Sequence, residues 1–210
     1  LKRSILQGIC LSASVFLFKY RNGGKLCTKV CCVQTLKGGK IMGLLHIYCG
    51  DGKGKTTASL GLALRASGSG MKVCFLQLMK GGETSELASL KALPNIKVIR
   101  CDRHYPFFKN MTEADKSDIT ACHNSLLEEA FGGGFDMVIV DEFNAAYKYG
   151  LMDKERVQKL IFDGLENAEV ILTGRDPDEF FIEKADYVSE IKCVKHPYEK
   201  GINARKGIEF

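Results

Sequence analysis

A glycine-rich stretch of eight residues, GDGKGKTT at positions 50–57, contains the residue types that bind phosphate. It follows an apolar run, GLLHIYC at 43–49, which predicts a buried strand. Glycines let successive backbone N–H groups point to one centre, and the N-terminus of a following helix adds positive charge. In this pattern the lysine before the first threonine neutralises phosphate, and that threonine's hydroxyl faces a metal ion. The predicted phosphate-binding residues are Gly50, Asp51, Gly52, Lys53, Gly54, Lys55, Thr56 and Thr57, with Lys53, Lys55 and Thr56 as the catalytic group.

The stretch differs by one position from the common phosphate-loop pattern G-x-x-x-x-G-K-[ST]. That pattern would place its first glycine at Cys49, whereas here the glycine is residue 50. A plain glycine turn with surface lysines is the alternative interpretation. We favour phosphate binding, because three glycines, two lysines and two threonines are concentrated within eight residues behind a buried strand.

A second apolar run, at 135–140, is followed directly by Asp141 and Glu142. In open α/β sheets, ligands collect at the carboxyl ends of the strands, where these two carboxylates are expected to lie. We expect Asp141, Glu142 and the Thr56 hydroxyl to bind Mg²⁺ or Mn²⁺. The alternative for such an aspartate is that it caps a helix.

Strand and helix patterns alternate along the remainder of the chain. Apolar runs predict strands at 43–49, 71–79, 96–101, 135–140, 169–173 and 187–194, and helical spacing predicts helices at 57–66, 112–131, 153–165 and 176–185. This alternation predicts a P-loop NTPase-like, doubly wound α/β fold, with a mostly parallel sheet and helices on both faces.

Residues 1–41 differ in composition from the rest. They contain eight Lys and Arg, four of the nine Cys, and no Asp or Glu, which leaves 22 basic and 25 acidic residues in the domain at 42–210. We interpret this basic, Cys-rich leader as disordered or absent from the native protein, with translation starting at Met42. Lys37-Gly38-Gly39-Lys40 can be encoded by a ribosome-binding sequence just upstream. A genuine basic extension is the alternative.

The remaining 169 residues are slightly acidic, so a nucleic-acid partner is not expected. The apolar run at 9–18 is too short to span a membrane. Scattered cysteines without a C-x-x-C pair indicate a reducing, cytoplasmic location.

From residue 42 onward the chain resembles the P-loop type of corrinoid (cob(I)alamin) adenosyltransferase. The resemblance rests on ordered blocks: GDGKGKTT (50–57), Arg65, QLMKG (77–81), VDE (140–142), TGR (173–175), ADYVSE (185–190), KHPY (195–198) and GINARKGIEF (201–210). It implies transfer of the 5′-deoxyadenosyl group from ATP to Co(I) of a corrinoid, with release of triphosphate. Adenosylcobalamin biosynthesis or salvage is the implied setting.

The resemblance also implies roles for residues outside the phosphate loop. Arg65 and Arg175 are expected to contact ATP. Aromatic side chains in the loop after the third strand are expected to contact the corrin and displace the lower axial ligand of cobalt, which makes the metal easier to reduce. The corrinoid-binding residues implied are Tyr105, Phe107, Phe108 and His196. Mg²⁺ (or Mn²⁺), an electron-donating flavoprotein and a homodimer are implied as cofactor and partners.

Two other functions remain open from the residues alone. A P-loop nucleoside or small-molecule kinase would share the loop and the Asp-Glu pair but would release ADP. A non-catalytic nucleotide-binding regulatory module would have no need of the second lysine, Lys53, or of the aromatic loop.

Overall fold

The computed structural model describes residues 13–22, 25–34, 42–82 and 84–209. The chain divides into two units, Leu1–Lys40 and Ile41–Phe210. The first unit contains the antiparallel strands β1 (Ala13–Asn22) and β2 (Lys25–Gln34), in a register that pairs Ala13 with Gln34. The start at Met42 and the interpretation of residues 1–41 stay predictions.

The second unit is built on a six-stranded sheet in which every pairing is parallel. Its strands lie in the order β5-β4-β6-β7-β3-β8. The strands are β3 (Leu45–Cys49), β4 (Val73–Gln77), β5 (Ile96–Arg100), β6 (Met137–Asp141), β7 (Glu169–Thr173) and β8 (Tyr187–Glu190). The helices are α1 (Lys55–Gly68), α2 (Ser85–Lys91), α3 (Glu113–Gly132), α4 (Phe143–Lys148), α5 (Lys154–Gly164) and α6 (Glu179–Lys184), with 3₁₀ turns at Phe108–Asn110 and Pro197–Lys200.

Helices cover both faces of the sheet, as the sequence predicts. Along β4, Val73 and Phe75 pack with residues of α1 and α2, whereas Cys74 and Leu76 pack with residues of α3 to α6. These segments are nearly continuously apolar because their strands are buried on both faces. The predicted doubly wound, parallel α/β fold is therefore confirmed.

Three helices of the second unit begin at a side-chain cap. Thr112 and Asp115 form a reciprocal capping box that starts α3, with the Thr112 hydroxyl accepting from the Asp115 N–H at 3.1 Å. Asp153 and Asp178 start α5 and α6 with single caps, in which each carboxylate accepts a hydrogen bond from one backbone N–H. Nowhere in the described ranges does a helix combine the length and apolar character needed to cross a bilayer.

Candidate active site

The phosphate loop connects β3 to α1 and depends on glycine at its first position. Gly50 has φ of 98° and Gly54 has φ of 123°, in the region that side chains other than hydrogen disfavour. A Cβ atom on Gly50 would also lie 2.4 Å from the carbonyl oxygen of Ile191. Both the backbone conformation and the close packing therefore require glycine at position 50.

The lysine that opens α1 lies inside the loop. Lys55 Nζ donates to the carbonyl oxygens of Gly50 at 2.7 Å and Gly52 at 2.8 Å. Burial lowers the pKa of the Lys55 ammonium, and the nearby charge of Arg175 lowers that pKa further. The loop thus presents a partly desolvated cation at its centre, the arrangement that an oligophosphate requires.

Backbone contacts anchor the loop to the segment after β8. The Gly52 N–H donates to the Ile191 carbonyl at 2.8 Å, and the Cys193 N–H donates to Asp51 Oδ1 at 3.0 Å. The Cys193 hydrogen bond lowers the pKa of the Asp51 carboxyl. Asp51, predicted from sequence as an ATP-binding residue, thus fixes the loop in place through its side chain.

Asp141, at the end of β6, is the centre of a buried polar cluster. Its Oδ1 accepts from the hydroxyls of Thr56 at 2.8 Å and Thr173 at 2.7 Å, and its Oδ2 lies 2.9 Å from Lys80 Nζ. The side chain is fully buried. Asp141 and Thr56 are therefore brought together as expected, although 85 residues separate them in the chain.

Glu142 follows in a left-handed conformation, with φ of 61°, and precedes α4. Burial raises the pKa of its carboxyl, the neighbouring Asp141 raises it further, and Lys80 and Lys55 oppose the shift. Among the described residues there is no group of three or more His, Cys, Asp or Glu that could hold a metal by itself. Two carboxylates and one hydroxyl still fit Mg²⁺, which uses few protein ligands and completes its shell with phosphate oxygens and water.

A cavity of about 460 Å³ opens beside the loop, and we call it the P-loop cavity. Its lining is rich in hydroxyl and charged groups: Thr56, Thr57, Leu60, Lys80, Thr84, Ser85, Glu86, Ser89 and 207–209. Next to it the buried Gln77 Oε1 and Thr84 Oγ1 have no hydrogen-bond partner within the described residues. An unpaired amide oxygen accepts and an unpaired hydroxyl both donates and accepts, so the two favour a ligand or water that can hydrogen-bond with them.

The C-terminal turn closes one side of this cavity. Lys53 Nζ donates to the Ile208 carbonyl at 3.0 Å and lies 3.8 Å from Glu209 Oε1. Hydrogen bonds from Arg205 hold Glu209 and lower the pKa of its carboxyl to about 2. Lys53 is thus directed at the cavity wall, whereas Lys55 lies in the loop.

A second cavity, of about 450 Å³, lies under the loop after β5, and we call it the aromatic cavity. Its lining residues are Met79, Gly81, His104, Tyr105, Pro106, Phe107, Phe108, Lys109, Met111 and Tyr149. The three predicted aromatics differ in setting. Tyr105 donates to Asp118 Oδ2 at 2.6 Å, Phe108 stacks on Tyr149 with ring centroids 4.2 Å apart, and Phe107 is 88% exposed.

A single segment separates the two cavities. Met79 and Gly81 line the aromatic cavity, whereas Lys80 between them lines the P-loop cavity. Arg100 Nη2 fixes this wall by donating to the carbonyls of Lys80 at 2.9 Å and Gly82 at 2.8 Å. Ligands bound on the two sides would therefore be neighbours.

The other predicted site residues lie at different distances from this centre. Arg175 is exposed but close enough to the loop to affect the pKa values of Lys55 and Glu142. Arg65 lies in the last turn of α1. It is ten residues beyond Lys55, or about 15 Å along the helix axis. His196 accepts from the Tyr198 N–H at 3.2 Å and lines neither cavity.

Residues missed by the sequence analysis include Lys80, Thr173 and Glu86. The first two lie within the QLMKG and TGR blocks. The sequence analysis used these blocks to recognise the family but gave Lys80 and Thr173 no role. Glu86 lies on α2, a helix too short for its periodicity to stand out.

Comparison with known proteins identifies the family of the chain. Residues 41–210 match the family model described as "ATP:corrinoid adenosyltransferase BtuR/CobO/CobP". A "Corrinoid adenosyltransferase" of Pseudomonas aeruginosa is 32% identical over 170 residues, covering 80% of this chain and 84% of the relative. The protein of the same description from Escherichia coli K12 is 32% identical over 181 residues, covering 80% and 86%.

Among solved structures, a KaiC-like protein from Pyrococcus horikoshii gives a TM-score of 0.42 at 15% identity, covering 72% of this chain and 73% of the other. That similarity is too low to support an argument. The family match and the two relatives cover most of the folded domain, and the chain belongs to the ATP:corrinoid adenosyltransferase family.

Proposed function

We propose that this protein transfers the 5′-deoxyadenosyl group of ATP to the Co(I) centre of a corrinoid and releases triphosphate, as the family assignment implies. In this reaction a Co–C5′ bond forms, the C5′–O bond breaks, and the triphosphate leaves with the bonding electron pair. No proton has to be moved, so no general base is required. The enzyme's work is to hold the leaving group and bring cobalt to C5′.

The observation that carries this proposal is the pair of cavities that share one wall. The P-loop cavity offers phosphate-binding groups and hydroxyls, which suit a nucleotide. The aromatic cavity offers mainly apolar surface, which suits the face of a corrin ring. A kinase would also need an acceptor site beside the nucleotide, so it is the mainly apolar, aromatic lining of the second cavity that favours a corrin ring.

We assign the leaving group to Lys55, Lys53 and the backbone of the loop. Lys55 is held at the loop centre by two carbonyl oxygens that a phosphate oxygen can replace as its partner. Lys53 Nζ donates to the Ile208 carbonyl, and this exposed side chain can turn toward the negative charge of a bound triphosphate. Arg175 is exposed beside them and adds to the positive potential.

Thr56, Asp141 and Glu142 would hold Mg²⁺ or Mn²⁺. When bound, the ion would neutralise charge on the departing triphosphate. The protein's contribution is the hydroxyl of Thr56, fixed 2.8 Å from Asp141 Oδ1, and the buried carboxylate of Glu142.

Tyr105, Phe107 and Phe108 would form the corrinoid face. Phe108 and Tyr105 are fixed by Tyr149 and Asp118, so they form a rigid floor. Phe107 projects into solvent and is the side chain free to press against cobalt's lower face. His196 lines neither cavity, and Arg65 lies far along α1. Either side chain would therefore contact ATP or corrinoid only across a subunit interface, or if the bound ligand extends beyond the cavities.

A homodimer, a flavoprotein electron donor and a cytoplasmic location complete the proposal. They are inferred from the family resemblance. The five cysteines of residues 42–209 are all free, which is compatible with a reducing compartment.

The test is to incubate the protein with ATP, Mg²⁺ and chemically reduced cobalamin. We expect the light-sensitive Co–C absorption spectrum to appear together with one equivalent of triphosphate. Lys55→Ala serves as the matched inactive control. Release of ADP with a phosphorylated acceptor would instead identify a kinase, and nucleotide binding without any product would identify a regulatory module.

A further inference from the structure

We propose that Lys80 is an exchangeable counter-ion of Asp141: it yields the carboxylate to a divalent cation and then pairs with the triphosphate. Lys80 would thus link the binding of the metal to the neutralisation of charge on the leaving group. The inference rests on the proposed function only in taking triphosphate as the anion.

The starting point is how the two oxygens of Asp141 are used. Oδ1 already accepts two hydroxyl hydrogen bonds, from Thr56 and Thr173, and its two lone pairs are therefore occupied. Within residues 42–82 and 84–209, Oδ2 has one partner, Lys80 Nζ at 2.9 Å. The Asp141 side chain is 0% exposed, so its negative charge depends on this ammonium for compensation.

A divalent cation held by Thr56 and Asp141 would need the same carboxylate that Lys80 pairs with. Its charge would also repel the Lys80 ammonium, because like charges a few ångströms apart in a buried setting repel strongly. Metal and ammonium are therefore competitors for Asp141, and their competition is reciprocal.

The structure provides a place for the displaced ammonium. The Lys80 side chain is 30% exposed and lines the P-loop cavity together with Thr56 and Thr57. Its backbone is held by Arg100, so the flexible four-carbon stem can swing while the wall stays fixed. Of the described residues, the other charged ones lining this cavity are Glu86 and Glu209, and Glu209 is already paired with Arg205.

Two binding measurements test the exchange, and neither involves a corrinoid. The first is the Kd of Mn²⁺ alone, from the electron paramagnetic resonance of free Mn²⁺. The second is the Kd of inorganic triphosphate at saturating Mn²⁺, from calorimetry. For Lys80→Met we expect Mn²⁺ to bind at least about fivefold more tightly, because its competitor is gone. We expect triphosphate to bind about tenfold or more weakly, because a charge-assisted hydrogen bond is lost.

Lys80→Arg is a second test, which still applies if Lys80→Met does not fold. The guanidinium keeps Asp141 neutralised and holds a carboxylate more firmly through its planar fork, so Mn²⁺ should bind more weakly than to the parent. The two substitutions therefore move Mn²⁺ affinity in opposite directions. Lys97→Met, which breaks an exposed ion pair between Lys97 on β5 and Glu129 on α3, should change neither constant.

Weaker or unchanged Mn²⁺ binding in folded Lys80→Met would overturn the proposal, and so would unchanged triphosphate binding. If Lys80→Met does not fold, Mn²⁺ binding to Lys80→Arg that equals or exceeds the parent's overturns it. A failure of adenosyl transfer to cobalamin would leave these two constants untouched, so the tests of function and of exchange are separable.

Discussion

Phe107→Ala should separate the reduction of cobalt from its attack on ATP. The side chain is 88% exposed, so little of it is buried by folding. Burying a whole phenylalanine stabilises by about 1.5–3 kcal/mol, and the buried eighth of this side chain therefore contributes less than about 0.4 kcal/mol. We expect the variant to fold with a nearly unchanged Tm.

The same side chain should matter once a corrin ring covers it. Covering about half of the ring would stabilise the complex by about 1 kcal/mol, within the range of about 0.5–1.5 kcal/mol for an aromatic contact. Its loss should therefore weaken corrinoid binding by about 2-fold to about 13-fold. A much larger loss of rate should appear only if Phe107 also keeps an axial ligand off the cobalt.

Two assays distinguish these contributions. One starts from Co(II) corrinoid with a mild flavin reductant, and the other from cobalt already driven to Co(I). We expect the first rate to collapse and the second to fall by no more than the binding factor. Tyr198→Ala, which is 74% exposed and does not line the aromatic cavity, is the matched control. Equal losses in both assays would refute a role in reduction, and no loss in either would remove Phe107 from the corrinoid site.

Three further predictions follow from the described contacts. Lys55→Ala should abolish triphosphate release while lowering the free energy of unfolding by no more than about 2 kcal/mol, because two part-buried hydrogen bonds to loop carbonyls are lost, each worth about 1 kcal/mol; substantial turnover by the folded variant would contradict the assignment. Glu142→Gln should weaken Mn²⁺-dependent ATP binding more than corrinoid binding, as followed by calorimetry with each ligand; an unchanged Mn²⁺ requirement would transfer the metal role to Asp141 alone. Burial lowers the pKa of His123, whose Nδ1 donates to the Leu151 carbonyl at 2.9 Å. The unfolded chain then binds the proton more readily, so stability is full above about pH 6.5 and declines as the pH falls toward the lowered pKa. Urea titrations of His123→Gln should lack this decline, and a parallel decline in both proteins would show that another group causes it.

The sequence predicted the strands and the loop because their signals are local. An apolar run that ends in glycines or carboxylates can be recognised without knowing which other segments pack against it. All six predicted strands of the domain are present. The strand predicted at 71–79 ends earlier, at Gln77, because Met79 adopts φ of 60° and leaves the ladder. The strand predicted at 187–194 ends at Glu190, where the chain turns to contact the phosphate loop.

Two helices were not predicted. Helices α2 and α4 have seven and six residues, fewer than two turns each, so no apolar stripe could emerge from their sequences. Helix α4 also begins after a left-handed glutamate, a start that no capping preference indicates.

The candidate site was predicted as a set of residues but not as a network. That Thr56 and Asp141 would meet follows from the edge of a parallel sheet. Two other contacts depend on the conformation of loops. Lys80 joins Asp141, and the Cys193 N–H, 142 residues away, holds Asp51. Loop geometry is set by many weak long-range contacts, and no local pattern encodes those.

The contact between Lys53 and the Ile208 carbonyl has a practical consequence for handling the protein. Residues 207–209 form part of the wall of the P-loop cavity, and the segment from residue 201 to 208 is exposed. Exposed segments without regular secondary structure are preferred sites of proteolysis, and a cut here would free part of the cavity wall. The intact mass should therefore be checked before any preparation is judged inactive.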